Sequence, residues 1–152
     1  MIDTPQLTIF AIAVVAIGLT ILAYFVREGI VTSSIYKQGV QLFQEKNYPA
    51  AETTLTQVLS RHPSNDLARI LLGDALMQQD RIIDAIAQYR EVTTRTPKNV
   101  DAHLRLGMAL LKQNQLQEAI EPLENAKKLL IKQRNPQKAE TVTQLLQEIN
   151  TQ

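Results

Sequence analysis

The sequence predicts an all-α chain: one apolar helix of membrane-crossing length, then a stack of helical hairpins closed by a last helix. Two observations carry this reading. Residues 7–26 read LTIFAIAVVAIGLTILAYFV, without a charged side chain. Beyond them the chain repeats itself, LGDALMQQDRIIDAIAQY at 72–89 returning 34 residues later as LGMALLKQNQLQEAIEPL at 106–123. Composition narrows the function. A chain of 152 residues allows one modest domain plus an appendage. A net charge of +1 supplies no field that would gather nucleic acid. The absence of cysteine removes disulfides, thiolate metal sites and thiol nucleophiles.

In chain order, residues 1–6 form a short tail and 7–26 the apolar helix. Twenty helical residues span roughly 30 Å, the hydrocarbon thickness of a bilayer. A helix buried in a soluble domain this small is rarely apolar all round, and Tyr24 and Phe25 stand at one end, where interfacial aromatics gather. A cleaved signal peptide would need a basic start, a shorter core and a small-x-small cleavage site. Here Asp3 precedes the run with no Lys or Arg, and its end reads Ala23-Tyr24-Phe25-Val26-Arg27. The expectation is a single-pass anchor that contacts the lipid bilayer through residues 7–26. Arg27, Lys37 and Lys46 all follow it, so the positive-inside rule puts residues 27–152 in the cytoplasm and the N-terminus outside. Residues 27–33 are expected to be a linker that keeps the repeats near the headgroups.

The repeats occupy residues 34–134, in units 32–65, 66–99 and 100–133. Gly39, Gly73 and Gly107 are 34 residues apart, as are Ala51, Ala85 and Ala119, and Pro63 and Pro97. Each unit carries helical apolar spacing twice. In the second, Leu71, Leu72 and Leu76 mark one helix and Ile82, Ile86, Tyr89 and Val92 the next, with QQDR at 78–81 between them. Pro97 ends the second helix. Gly73 and Ala85 are small where paired helices cross, and Leu76 and Tyr89 fill the adjoining space. One hairpin cannot bury its apolar face alone, whereas three stacked hairpins share a core. In the third unit Ile131 replaces the closing proline, so its second helix is expected to run on, with Pro122 inside it. After Asn135-Pro136, Ala139, Val142, Leu145, Leu146 and Ile149 form one stripe, which predicts a capping helix over 135–152.

The 34-residue period, with its recurring Gly, Ala and Pro, resembles the tetratricopeptide repeat. The resemblance implies a right-handed solenoid whose first helices line a concave, protein-binding groove. The chain departs from the pattern at the position often held by Trp, which carries Ile35, Arg69 and His103, and at Gln38, where the other units have Leu72 and Leu106. The groove positions carried onto this chain are Tyr36, Val40 and Phe43, then Ile70, Asp74 and Met77, then Leu104, Met108 and Leu111. Groove proteins that hold chaperone tails carry Lys and Asn where this chain has Tyr36, Val40, Ile70 and Asp74, so a tail receptor is not expected. An apolar groove with adaptable methionines suits a hydrophobic segment or an amphipathic helix. The same residues also suit packing between neighbouring helices.

A second candidate is KKLLIKQRNPQK at 127–138, where Lys127, Lys128, Lys132, Arg134 and Lys138 stand without an acid. It suits anionic headgroups or an acidic partner, or simply complements a helix C-terminus. Nothing reads as a reactive site. There is no phosphate loop, H-E-x-x-H or G-x-S-x-G, and His62 and His103 fall in unrelated structural slots. No enzyme, cofactor or metal is expected.

One span, three repeats and a closing helix in about 150 residues also resemble the photosystem I assembly proteins of cyanobacteria and some plastids. That resemblance rests on architecture and length. It implies a thylakoid anchor, a cytoplasmic or stromal solenoid, and subunits or assembly intermediates of photosystem I as the protein client. Two other readings stay open: a receptor for targeting helices in import or secretion, and a periplasmic assembly factor of opposite topology.

Overall fold

The computed structural model describes residues 4–151 and consists of seven helices: α1 (Thr4–Gln44), α2 (Tyr48–Arg61), α3 (Asp66–Gln78), α4 (Ile82–Arg95), α5 (Val100–Lys112), α6 (Leu116–Lys132) and α7 (Pro136–Asn150). No strand occurs among the described residues. Each helix packs on the next, so the second half of α1 with α2, α3 with α4, and α5 with α6 form three stacked hairpins, and α7 packs on α6.

Asparagines start many of these helices. The side chains of Asn65 and Asn99 accept from the amides of Ala68 and Ala102, both at 3.0 Å, and Asn47 and Asn135 cap α2 and α7 in the same way. These bonds satisfy donors that have no partner within the helix. Pro49 and Pro136 sit in first turns, where a missing N–H costs nothing.

The core repeats with the sequence. Ala51, Ala85 and Ala119 are fully buried on the second helix of each hairpin. Gly39, Gly73 and Gly107 face the residues sixteen positions on, namely Leu55, Tyr89 and Leu123. A Cβ on Gly73 would lie 2.4 Å from Tyr89 Cε1, and one on Gly107 would lie 2.6 Å from Leu123. The glycines make room for one large side chain per hairpin.

The position without Trp is filled by a polar bridge. Buried Arg69 donates from Nη2 to the Pro63 carbonyl at 2.9 Å, and buried His103 donates from Nε2 to the Pro97 carbonyl at 3.0 Å. Each side chain reaches back six residues and pins the turn that precedes its own helix.

Two expected boundaries change. The segment 27–33 is not a break, because α1 is continuous from Thr4 to Gln44 and residues 4–6 of the tail already belong to it. Residues 1–3 lie outside the described residues. No proline interrupts the stretch, and Gly29 alone, at about 1 kcal/mol against Ala, does not end a helix with partners further on. Glu28 binds Arg61 of α2 at 2.7 Å, so packing against α2 begins inside the supposed linker. As expected, α6 is longer than its counterparts, at 17 residues against 14 for α2 and α4, and it runs through Pro122. The turn after it differs from the other connections between hairpins. Arg134 adopts a positive φ of 58°, as do Lys46, Asp80 and Asn114 in the turns within hairpins. α6 and α7 therefore form a further hairpin, in which Ala139 is buried as Ala51 is.

Candidate functional site

The first helices of the hairpins line the concave face, and they do not contribute equally. Tyr36, Val40 and Phe43 on α1 are half-buried, and the Phe43 ring meets Tyr48 edge-on at 5.5 Å. Ile70 is only 7% exposed and belongs to the core rather than to an open surface. Met77, Leu104 and Leu111 are half-buried, whereas Met108 is 61% exposed. The accessible apolar part of the groove therefore lies at the third hairpin.

Asp74 is committed to its neighbours. Its carboxylate accepts from the Tyr89 hydroxyl at 2.7 Å and from Arg105 Nε at 2.8 and 3.0 Å. Burial, reinforced by the adjoining Asp74 charge, pushes the Tyr89 phenol far above its ordinary range. Burial opposes the charge on Arg105, but the Asp74 hydrogen bond and charge outweigh it and raise its pKa. The three groups join α3, α4 and α5 and leave Asp74 little capacity for a ligand.

Between α5 and α7 the groove opens into a cleft of about 590 Å³. Leu104, Met108, Val142 and Leu145 supply its apolar lining, with Asp101, Arg105, Lys138 and Glu148 among its polar residues. The stripe on α7 accordingly does two jobs. Leu146 is buried in the core, and its neighbour Leu145 is half-buried in the cleft wall. Reading α7 as a cover alone misses this, although the adjacent pair Leu145-Leu146 signals an apolar face wider than a cap requires. Arg105 is also missed, since its role depends on a carboxylate 31 residues away.

The basic residues of 127–138 stand in different surroundings. Lys127 pairs with Glu124 at 3.6 Å. Lys128 lines a cleft beside Thr93, Pro97 and His103, on the side formed by α4 and α6. Lys132 and Arg134 are exposed at the α6–α7 turn, and Lys138 stands in the groove cleft.

Stacked antiparallel hairpins with a groove on one face define a helical-repeat solenoid. Two tetratricopeptide-repeat family models match the chain, one over residues 42–87 and the other over 75–139, so the hairpins are tetratricopeptide repeats. Comparison with curated proteins gives no match. Among solved structures, it is similar to the TPR2B-domain:pHsp70 complex of yeast Sti1, at 21% identity and a TM-score of 0.72, covering 79% of this chain and 96% of that one. It is also similar to the Yersinia enterocolitica type III secretion chaperone SycD in complex with a peptide of the translocator YopD, at 18% identity and a TM-score of 0.73, covering 78% and 92%. Against the longer yeast Sti1 TPR2AB structure, at 21% identity and a TM-score of 0.71, it covers 78% of this chain but only 46% of that one. At these identities the likeness is one of fold.

Proposed function

We propose that the chain is a membrane-anchored adaptor that holds a protein client in the groove between α5 and α7 and assists assembly of a membrane complex. The observation that carries the reading is the joint presence of the open apolar cleft around Leu104, Met108 and Leu145 and the uncovered apolar stretch of α1. A contiguous exposed apolar cleft on a protein surface calls for an occupant, and methionine adapts to varied partners. Anchoring limits the search for membrane-bound clients to the membrane and raises their effective concentration. The architecture's resemblance to photosystem I assembly proteins supports photosystem I subunits as the clients, a thylakoid membrane as the location and a cytoplasmic or stromal solenoid.

A second reading, a receptor for hydrophobic or targeting segments in import or secretion, is favoured by the similarity to SycD, whose structure holds a translocator peptide. A chaperone-tail receptor is disfavoured by Tyr36, Val40, Leu104 and Met108, which offer no cation or amide for a terminal carboxylate. Purification of the tagged full-length protein from native membranes in mild detergent, with mass spectrometry of its companions, separates the readings. Photosystem I subunits or their assembly factors are expected. Translocase components or many unrelated precursors instead would replace the assembly reading with the receptor.

A further inference from the structure

α1 leaves its apolar stretch at residue 26 and continues unbroken into the first hairpin, and this decides which edge of the stack faces the bilayer. Successive helices alternate in direction, so their turns collect at two opposite edges. The turns at 62–65, 96–99 and 133–135 share the edge from which α1 emerges. Arg61, at the end of α2, reaches Glu28 at 2.7 Å. Arg95, at the end of α4, binds Asp66 and donates from Nη1 to the Pro63 carbonyl at 2.9 Å. Lys128 lines one cleft with Pro97. The turns at 45–47, 79–81 and 113–115 lie at the far edge.

The two edges differ in charge. At the far edge Arg81 pairs with Glu52 and Asp84, and Lys112 with Asp80, which leaves Lys46 as the cation there without an ion pair among the described residues. At the near edge Arg27, Lys98, Lys128, Lys132 and Arg134 make no ion pair among the described residues, and the acids close by that also make none are Asp101, Glu140 and Glu121, the last in the cleft with Lys128. Exposed apolar side chains follow the same division. Beyond residue 26 the large ones are Ile30, Leu67, Ile83, Met108 and Ile131. Met108 lies in the groove and Ile83 at the far edge. Ile30, Leu67 and Ile131, which are 66%, 65% and 59% exposed, all lie at the near edge. Unpaired cations among exposed aliphatic side chains are the chemistry of an interfacial membrane contact.

We propose that this edge docks on the headgroup layer of the bilayer that α1 crosses, with Lys98, Lys128, Lys132 and Arg134 meeting anionic lipid phosphates and Leu67 and Ile131 entering the interface. The inference rests on the anchor reading and adds a second, charge-dependent contact to it. The groove then opens parallel to the membrane rather than away from it.

Because the chain has no cysteine, Ser64→Cys and Gln133→Cys at the near edge and Gln113→Cys at the far edge can each carry one fluorophore. The labelled full-length protein is placed in vesicles of phosphatidylcholine alone or with phosphatidylglycerol, containing a headgroup-linked quencher. In the anionic vesicles the labels at 64 and 133 are quenched and the label at 113 is not. Quenching is lost at high salt, in neutral vesicles and in the combined Lys98→Glu, Lys128→Glu, Lys132→Glu, Arg134→Glu variant, whose helicity is checked by circular dichroism. If that variant unfolds, the salt and lipid comparisons on the unsubstituted edge decide. Equal quenching at the two edges, or quenching indifferent to lipid charge and salt, overturns the docking proposal while leaving an anchored protein. Extraction of the protein by alkaline carbonate overturns the anchor reading and, with it, this proposal.

Discussion

Gly73 has a neighbour that cannot step aside. The Tyr89 ring over it is fixed by its hydroxyl, which donates to Asp74 at 2.7 Å, and Asp74 is held in turn by Arg105. Gly73→Ala should therefore destabilise the fold by about 1–3 kcal/mol, the range for overpacking a core, and Gly73→Leu by more, as thermal unfolding will show. Gly107→Ala should cost a comparable amount, since the fully buried Leu123 would meet the new Cβ at 2.6 Å with both Cγ and Cδ2. Gly18→Ala, with nothing within 4 Å, should not lower the melting temperature. Asp66 links stability to pH. Burial opposes its ionisation, but hydrogen bonds from Thr96 and Arg95 outweigh burial and hold its carboxyl below the usual 3.8. A carboxyl with a lowered folded pKa stabilises the fold fully above its unfolded value, and that contribution disappears as pH falls through the folded value. Asp66→Asn should thus flatten the loss of stability between about pH 5 and pH 2 that the unsubstituted protein shows on acid titration.

At the scale of the element, α1 is the unusual one. Its 41 residues extend about 60 Å, half uncovered and half packed on α2. Ser34→Pro would remove a helical N–H and press the ring against the carbonyl four residues back, a cost of about 3 kcal/mol. The expected result is faster amide exchange through residues 30–38 with α3 to α7 still protected, and uniform protection would show that α1 tolerates the break. The sequence makes the hairpins readable because glycine, alanine and proline recur in register, each with a packing or chain-stopping reason. It hides the continuity of α1, because Arg27-Glu28-Gly29 and Thr32-Ser33-Ser34 look like a polar interruption. The informative signal there was the absence of any residue that stops a helix. In the groove, the tetratricopeptide resemblance names positions on α1, α3 and α5 but does not separate Ile70, which neighbouring helices cover, from Met108, which they leave open. The clasp of Asp74 by Arg105 likewise needs two units in contact before it exists.

For the whole molecule, the groove is the testable surface. Met77→Glu with Met108→Glu should abolish client capture from detergent-solubilised membranes while leaving the helical circular dichroism signal unchanged. Capture that survives in the folded double variant would move the client site elsewhere on the solenoid. Surface ion pairs such as Arg90 with Glu118, both about half exposed, should matter little by comparison.

A helix without a joint transmits phase. Each residue in α1 turns the rest of the chain by about 100° and raises it by about 1.5 Å. One alanine inserted after Gly29 would leave the hairpins their neighbours apart from the Glu28–Arg61 contact, yet swing the groove by over a quarter-turn relative to the uncovered apolar half of the same helix. Seven inserted residues would nearly restore the azimuth while adding about 10 Å of height. A client that touches both that apolar half and the groove would thus be lost with one added residue and regained, at a new height, with seven.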